Sequence, residues 1–405
     1  TSTEKGQAMA YTHFRHIAYQ FPTVAVKMVP FGTTTVKRAI FGVNPGKVTD
    51  PPELLGDTQS LDDDARTRIQ RLIGVMIKAE EKISRIGDND NTLKIFTVPE
   101  FYFRPDRKES LSYNYSEYKA IRNVLEETIS DHGNFAHWLI IPGTIMWKTD
   151  DSSPKHAPTT AGDTVYFNSA VYMYFNSLWY AAYDSGKIEK IEASKLDGIP
   201  TGRHAGDFAV PGKLTPAQKA KRKSASEMFP KYLTYPQKDK HVFMAAGIQF
   251  GLDICMEHSF GVIPKNPTRA ELQKIGRYRV TRNVVLRQNQ KRVQVHLLIA
   301  EGMNIREESV AAIEGGYILR NDGGGSIPFT ESRKITGYVD VRNNSKSDVT
   351  SFSSKASLGP QERIVYIISI GEGDPLYLGN PPGGVEADWK AHPQMVRIYE
   401  TGQLP

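Results

Sequence analysis

Short β-branched runs alternate with amphipathic segments along this chain, and that alternation limits its possible folds more than any other feature. Residues 24–29 and 39–43 are apolar runs of strand length. Residues 62–83 follow, with Ile69, Leu72, Ile73, Met76, Ile77 and Ile83 near helical spacing. Asp62, Asp63 and Asp64 open that segment, where a helix dipole favours negative charge. A strand is expected over 93–98, stopping at Pro99-Glu100, then a helix over 115–129 and a strand over 136–141 ending at Pro142-Gly143.

Residues 165–175 read as a strand, and 178–183 with 187–193 as a hairpin-like pair about the Asp184-Ser185-Gly186 turn. Strands at 242–246 and 248–254 deliver Cys255. Further strands are expected at 293–300, 316–320, 334–341 and 363–370, with a short helix over 307–313. No internal repeat is present. The pattern describes one α/β domain spanning 21–345, with insertions near 149–163, 196–240 and 262–292. Residues 1–20 read as an N-terminal extension, and 346–405 as a late strand followed by an extended C-terminal arm.

A chain of 405 residues with 39% hydrophobic side chains can bury a large core. Its net charge of +6 is small for that length and argues for solubility more than for nucleic-acid binding. A single cysteine excludes an internal disulfide framework and any multi-thiolate zinc site. That fits a reducing compartment, so a cytoplasmic location is expected. No apolar run reaches membrane-spanning length, and residues 1–10 are polar, without the apolar stretch of a secretory signal.

Three reactive side chains each stand just after an expected strand: Glu100, Lys195 and Cys255. Such positions project into clefts where α/β proteins bind ligands. A thiolate is a nucleophile. A carboxylate can take its proton and later protonate a departing amine. An ammonium, with the backbone N–H of Met256, can stabilise an oxyanion. Together they suffice for acyl transfer through a thioester without metal or histidine. Taken singly, each has a plainer reading: an inert small hydrophobe, a loop-end carboxylate, a surface lysine.

Their contexts point further. Ile95-Phe96-Thr97-Val98-Pro99-Glu100 is similar to the general-base motif of the nitrilase (carbon–nitrogen hydrolase) superfamily. Phe167-Asn168-Ser169-Ala170, Asp184-Ser185-Gly186-Lys187-Ile188 and Ser194-Lys195 resemble its Asn-Thr-Ala strand, Asp-Gly-Lys turn and catalytic lysine. Gly251-Leu252-Asp253-Ile254-Cys255-Met256-Glu257 resembles its nucleophile motif. The likeness spans about residues 20–345, in the family's order.

The resemblance implies a four-layer αββα sandwich with Glu100, Lys195 and Cys255 meeting at one end. It implies cleavage of an amide or nitrile in a small molecule, no cofactor, and a homodimer or higher homo-oligomer. Acyl or ammonia transfer on the same fold is the alternative. Lys190 competes with Lys195, whose distance from Gly186 matches the family better. No second glutamate follows the lysine closely, leaving Asp197 or Asp207 to replace it. Trp147 stands where an acid is common, and Met256 where an aromatic is usual.

Phe101, Tyr102 and Arg104 follow Glu100 and are expected to line the pocket together with Met256, His258 and Glu301; Arg104 suits a carboxylate or phosphate. His258 is alternatively a structural hydrogen-bonding residue, and a Cys255–His258 dyad is disfavoured. The ten histidines show no ligand spacing, so no metal is expected. The stretch 277–292 is basic and free of acids. It reads as a solvated insertion; the contrary reading is a catalytically idle scaffold that binds nucleic acid or protein through it.

Overall fold

The computed structural model describes residues 11–20, 23, 52–105, 112–132, 135, 137–149, 165–174, 189–196, 241–258, 292–324, 329–340, 354–370, 374, 376 and 394–405. These form a mixed α/β structure of two sheets and two α-helices. The first sheet holds β1 (His13–Gln20), β2 (Thr92–Thr97), β3 (Tyr113–Asn114), β4 (Trp138–Ile141), β5 (Thr144–Thr149), β6 (Val165–Tyr174) and β7 (Glu189–Leu196). The second holds β8 (Val242–Ala245), β9 (Ile248–Ile254), β10 (Val293–Ala300), β11 (Ala312–Asp322), β12 (Phe329–Asp340) and β13 (Ser354–Gln361). The chain then returns to the first sheet with β14 (Ile364–Ile370) and β15 (Gln394–Gln403).

Each sheet has a parallel centre: β1, β2 and β4 in the first, β9, β10 and β11 in the second. Antiparallel strands flank both centres. Parallel strands buried on both faces need near-continuous apolar sequence. In β2 and β4, alternate residues accordingly serve two cores. Leu93, Ile95, Leu139 and Ile141 pack between the sheets against Phe250, Leu252, Leu297 and Ile299. Phe96, Trp138 and Ile140 face the helices.

Helix α1 (Asp63–Ile86) begins where the Asp62 carboxylate accepts from the Ala65 N–H at 2.8 Å. It stops at Gly87, whose φ of 79° suits a residue without Cβ. Its stripe of Ile69, Leu72, Ile73 and Met76 is buried, each side chain contributing about 1.5–3 kcal/mol. Helix α2 (Tyr115–Asp131) opens with a capping box. Asn114 accepts from the Glu117 N–H, and the Glu117 carboxylate accepts from the Asn114 N–H.

Several parts of the chain differ from the sequence reading. Residues 13–20, taken as extension, form a central strand; its buried arginine is paired, Arg15 meeting Asp88 at 2.6 Å. Residues 394–403, taken as an arm, form β15 beside β1. The short helix at 307–313 is a single 3-10 turn at Glu307–Ser309, after which β11 starts at Ala312. β3, β5 and β13 were not expected. The expected strands at 24–29, 39–43 and 178–183, and the insertions apart from their end residues, lie outside the described residues. No helix among the described residues is long and apolar enough to cross a membrane.

Candidate active site

Just past the ends of β2, β9 and β10 stand Glu100, Cys255 and Glu301, at the carboxyl ends of central parallel strands from both sheets. Glu100 is fully buried. Its Oε1 accepts from the Asn168 side-chain amide at 2.7 Å and its Oε2 from the Glu301 N–H at 3.0 Å. The Cys255 thiol donates to the Glu301 carbonyl oxygen at 3.6 Å. Base candidate and nucleophile candidate thus meet on the backbone of one residue.

The turn beyond Glu100 is tightly specified. Phe101 has φ 64°, and its N–H donates to Thr144 Oγ1 at 2.7 Å. A Cβ on Gly143 would stand 2.6 Å from the Pro99 carbonyl oxygen, so the Pro-Gly strand end needs glycine there. From α1, the buried Arg68 guanidinium donates to the Tyr102 carbonyl and, at 2.7 Å, to the Arg104 carbonyl. Asp64 holds that guanidinium at 2.7 Å. An arginine on the apolar side of a helix was the available signal for this support.

Cys255 has φ 47°, a left-handed conformation that costs a residue with a Cβ roughly 1–2 kcal/mol. Strain of this kind concentrates at functional positions. It turns the chain from β9 into the 3-10 turn Cys255–His258, where the Glu257 carboxylate accepts from the Ile254 N–H at 3.0 Å.

Lys195 lies in β7, and its backbone is in register with Asn168. Lys190 is in register with Met173. Directly opposed positions share a face of an antiparallel pair. Ala170 and Tyr172, alternating with Asn168, belong to the core between the sheets, whereas Met173 belongs to the core against the helices. The register therefore puts the Lys195 position, and not that of Lys190, on the Glu100 face. The side chain of Lys195 lies outside the described residues, as do Gly186, Asp197 and Asp207.

The expected pocket residues divide. Arg104 approaches the Glu301 carboxylate at 3.9 Å and lies over the Phe101 ring at 5.0 Å, so these three stay together beside Glu100. Tyr102 does not join them: it is buried against α1, its hydroxyl donating to the Arg68 carbonyl at 2.8 Å. The left-handed turn at Phe101 separates the two rings, Phe101 packing on Met146 and Tyr102 in the core against the helices. Trp147 donates through Nε1 to Ser169 Oγ at 2.9 Å and stacks on Tyr118, a core role. The side chain of Met256 lies outside the described residues.

His258 is fully buried and structural, the second of the two roles expected for it. Its Nδ1 meets Asp253 Oδ2 at 2.8 Å, and His296 Nε2 meets the same oxygen at 3.0 Å. Among the described residues, only this trio has the proximity of a metal site. The remaining ring nitrogens accept backbone N–H groups: His258 Nε2 from Arg306, and His296 Nδ1 from Ala311, both at 3.1 Å. Each imidazole thus has one nitrogen accepting and the other donating to Asp253, leaving no lone pair for a cation. Burial pushes the Asp253 carboxyl up, but the two histidines outweigh it and hold it well below the usual carboxylate range. Burial lowers His258, against the opposing hydrogen bond to Asp253.

Comparison with known protein-family models and with curated proteins returned no match.

Proposed function

We propose that this chain is a carbon–nitrogen hydrolase of the nitrilase-superfamily type, cleaving an amide-like bond of a small molecule through a thioester on Cys255. The observation that carries the reading is the shared contact at Glu301: the carboxylate of Glu100 on its N–H, and the thiol of Cys255 on its carbonyl oxygen. The left-handed backbone at Cys255 and the register of Lys195 support it.

In the first half-reaction, the Cys255 proton passes to Glu100 and sulfur attacks the carbonyl carbon. The carbonyl π electrons move to oxygen, where the Lys195 ammonium and the Met256 N–H stabilise the oxyanion. The carbonyl re-forms, the C–N bond breaks, and the leaving amine takes the proton from Glu100. Water then attacks the thioester, giving its proton to Glu100, and the departing sulfur recovers it. Arg104, held beside Glu301, offers a guanidinium for an anionic substituent on the substrate.

The full αββα sandwich belongs to the same proposal. A second helical layer would cover Val293, Val310, Ala312, Ile318 and Ile335 on the outer side of the second sheet. So do a homo-oligomeric state and a reducing, cytoplasmic setting suited to a catalytic thiol. The test is Cys255→Ala with a panel of amides and nitriles. Turnover should vanish while the circular-dichroism spectrum persists, and the wild type quenched in acid should carry an acyl adduct on Cys255. Full activity in the variant sinks the assignment.

A further inference from the structure

Behind the Glu301 contact lies a row of charges, buried except at Arg333, that the proposed chemistry does not use. β11 runs parallel to β10 and ends at Asp322, in register with Ala300. Asp322 Oδ1 accepts the Gly302 N–H at 2.6 Å and the Gly324 N–H at 2.7 Å. Its Oδ2 takes Arg320 Nη2 at 2.7 Å. The other Arg320 nitrogen, Nη1, donates to Glu331 at 2.8 Å, and Arg333 closes the row on Glu331 at 2.6 Å. Gly324 is pressed on the same loop: a Cβ there would come within 2.0 Å of the Gly302 nitrogen and 2.3 Å of the Glu301 carbonyl carbon.

The Gly302 N–H and the Glu301 carbonyl are two ends of one peptide group. A carboxylate on the N–H end draws the amide toward its charge-separated resonance form and places more negative charge on oxygen. That oxygen is the acceptor for the Cys255 thiol. We propose that Asp322 is a positioning residue that acts on Cys255 through the Glu301–Gly302 peptide, strengthening the acceptor that keeps the proton on sulfur and the thiol aimed until substrate arrives. Arg320 sets the strength of the effect by partly neutralising Asp322. Among the described residues, other charged or titratable groups around the turn include Glu100, Glu301 with Arg104, Glu257, and Asp253 with His258; Lys195 joins them in the proposed mechanism. The proposal rests on the reading of Cys255 as nucleophile for its meaning in turnover, but not for its measurement.

Because the chain holds one cysteine, a carbon-13 label on the cysteine β-carbon gives a single resonance that reports thiol ionisation. Titrated in the full-length protein, Asp322→Asn should move the midpoint down by about half a pH unit or more, since a neutral amide polarises the peptide less. Arg320→Gln, which leaves Asp322 charged but less compensated, should move it up. Opposite shifts separate this role from simple loosening of the loop, which would move both variants the same way. If Asp322→Asn does not fold, an unchanged or lowered midpoint in Arg320→Gln alone overturns the proposal. Midpoints in both variants equal to that of the wild type overturn it too. Turnover by Cys255→Ala bears on the nucleophile reading alone, so the two failures are distinct.

Discussion

The Asn168 side chain and the Glu100 carboxylate share one 2.7 Å hydrogen bond in which only half of the amide is used: Nδ2 donates, while Oδ1 is buried and has no partner among the described residues. A buried amide oxygen left in this way carries a desolvation cost of about 1–3 kcal/mol. It stands beside a carboxylate, in register with a lysine, where an N–H donor would relieve it.

That half-used amide makes Glu100→Gln a clean test. The new side chain can keep its oxygen on the Glu301 N–H and turn its NH2 toward Asn168, whose amide rotates to present Oδ1. Stability should stay within about 1 kcal/mol of the wild type in urea unfolding. Turnover should fall by roughly 100-fold or more, because the proton acceptor is gone.

Asn168→Asp should do the reverse. Two carboxylates would then face each other in a buried site, and one must hold a proton or repel the other. The raised carboxyl is destabilising when ionised, so the variant should lose stability as pH rises and recover it in mild acid. Denaturant midpoints taken at several pH values would show this. A loss that is the same at every pH would contradict the geometry.

Three buried histidines predict how the fold responds to acid. Burial pushes His16 down to about 3, and it also lowers His137 and His258. Unfolded imidazoles titrate near 6.5. Below that value the unfolded chain binds more protons than the folded one, so this stabilisation is complete above pH 6.5 and is lost as pH falls toward 3. His16→Phe keeps the stack on Tyr399 and should reduce the slope of stability against pH in that window by about 1.4 kcal/mol per unit. Urea unfolding across the window reads it directly.

The Asp253–His258–His296 trio should ignore metal. Zinc or cobalt should neither raise the melting temperature nor give heat in calorimetry attributable to these residues, since their lone pairs are already engaged. His258→Ala, by contrast, leaves a buried carboxylate short of one donor and should cost about 3 kcal/mol. Zinc binding that disappears in His258→Ala would refute the tautomer assignment.

Apart from β1, the strands of the two parallel centres were legible because burial on both faces forces long apolar runs. β9 and β10 coincide with the segments expected from sequence, and α1 runs three residues beyond its expected end. β1 was not legible: His13, Arg15, His16 and Gln20 make it look like a polar tail. Two of those polar groups are buried on partners far off in sequence, Arg15 on Asp88 and His16 on Thr97. β13 contains Gly359 and Pro360, tolerable at a sheet edge and easily mistaken for a loop.

The site followed the same rule. Glu100 and Cys255 announce themselves as reactive residues that end apolar strands. Glu301 was expected as a pocket side chain, yet its backbone is what joins them. A peptide group has no sequence signature. Asn168 stood in a family-like motif, but its bond to Glu100 was not foreseen; Arg68 and Asp322 were hidden because their partners are carbonyls, amides and carboxylates brought close only by the fold.

The pairing of β1 with β15, His13 opposite Gln403, joins segments separated by nearly the whole chain. During synthesis β1 waits for this neighbour until all the other described strands have been made, exposing one edge of the first sheet to rival strands. Closing so long a loop delays the reward for its entropy cost. Folding to a protected first sheet should therefore be slow and sensitive to concentration, with the edge of β1 as the point where association of incomplete chains begins.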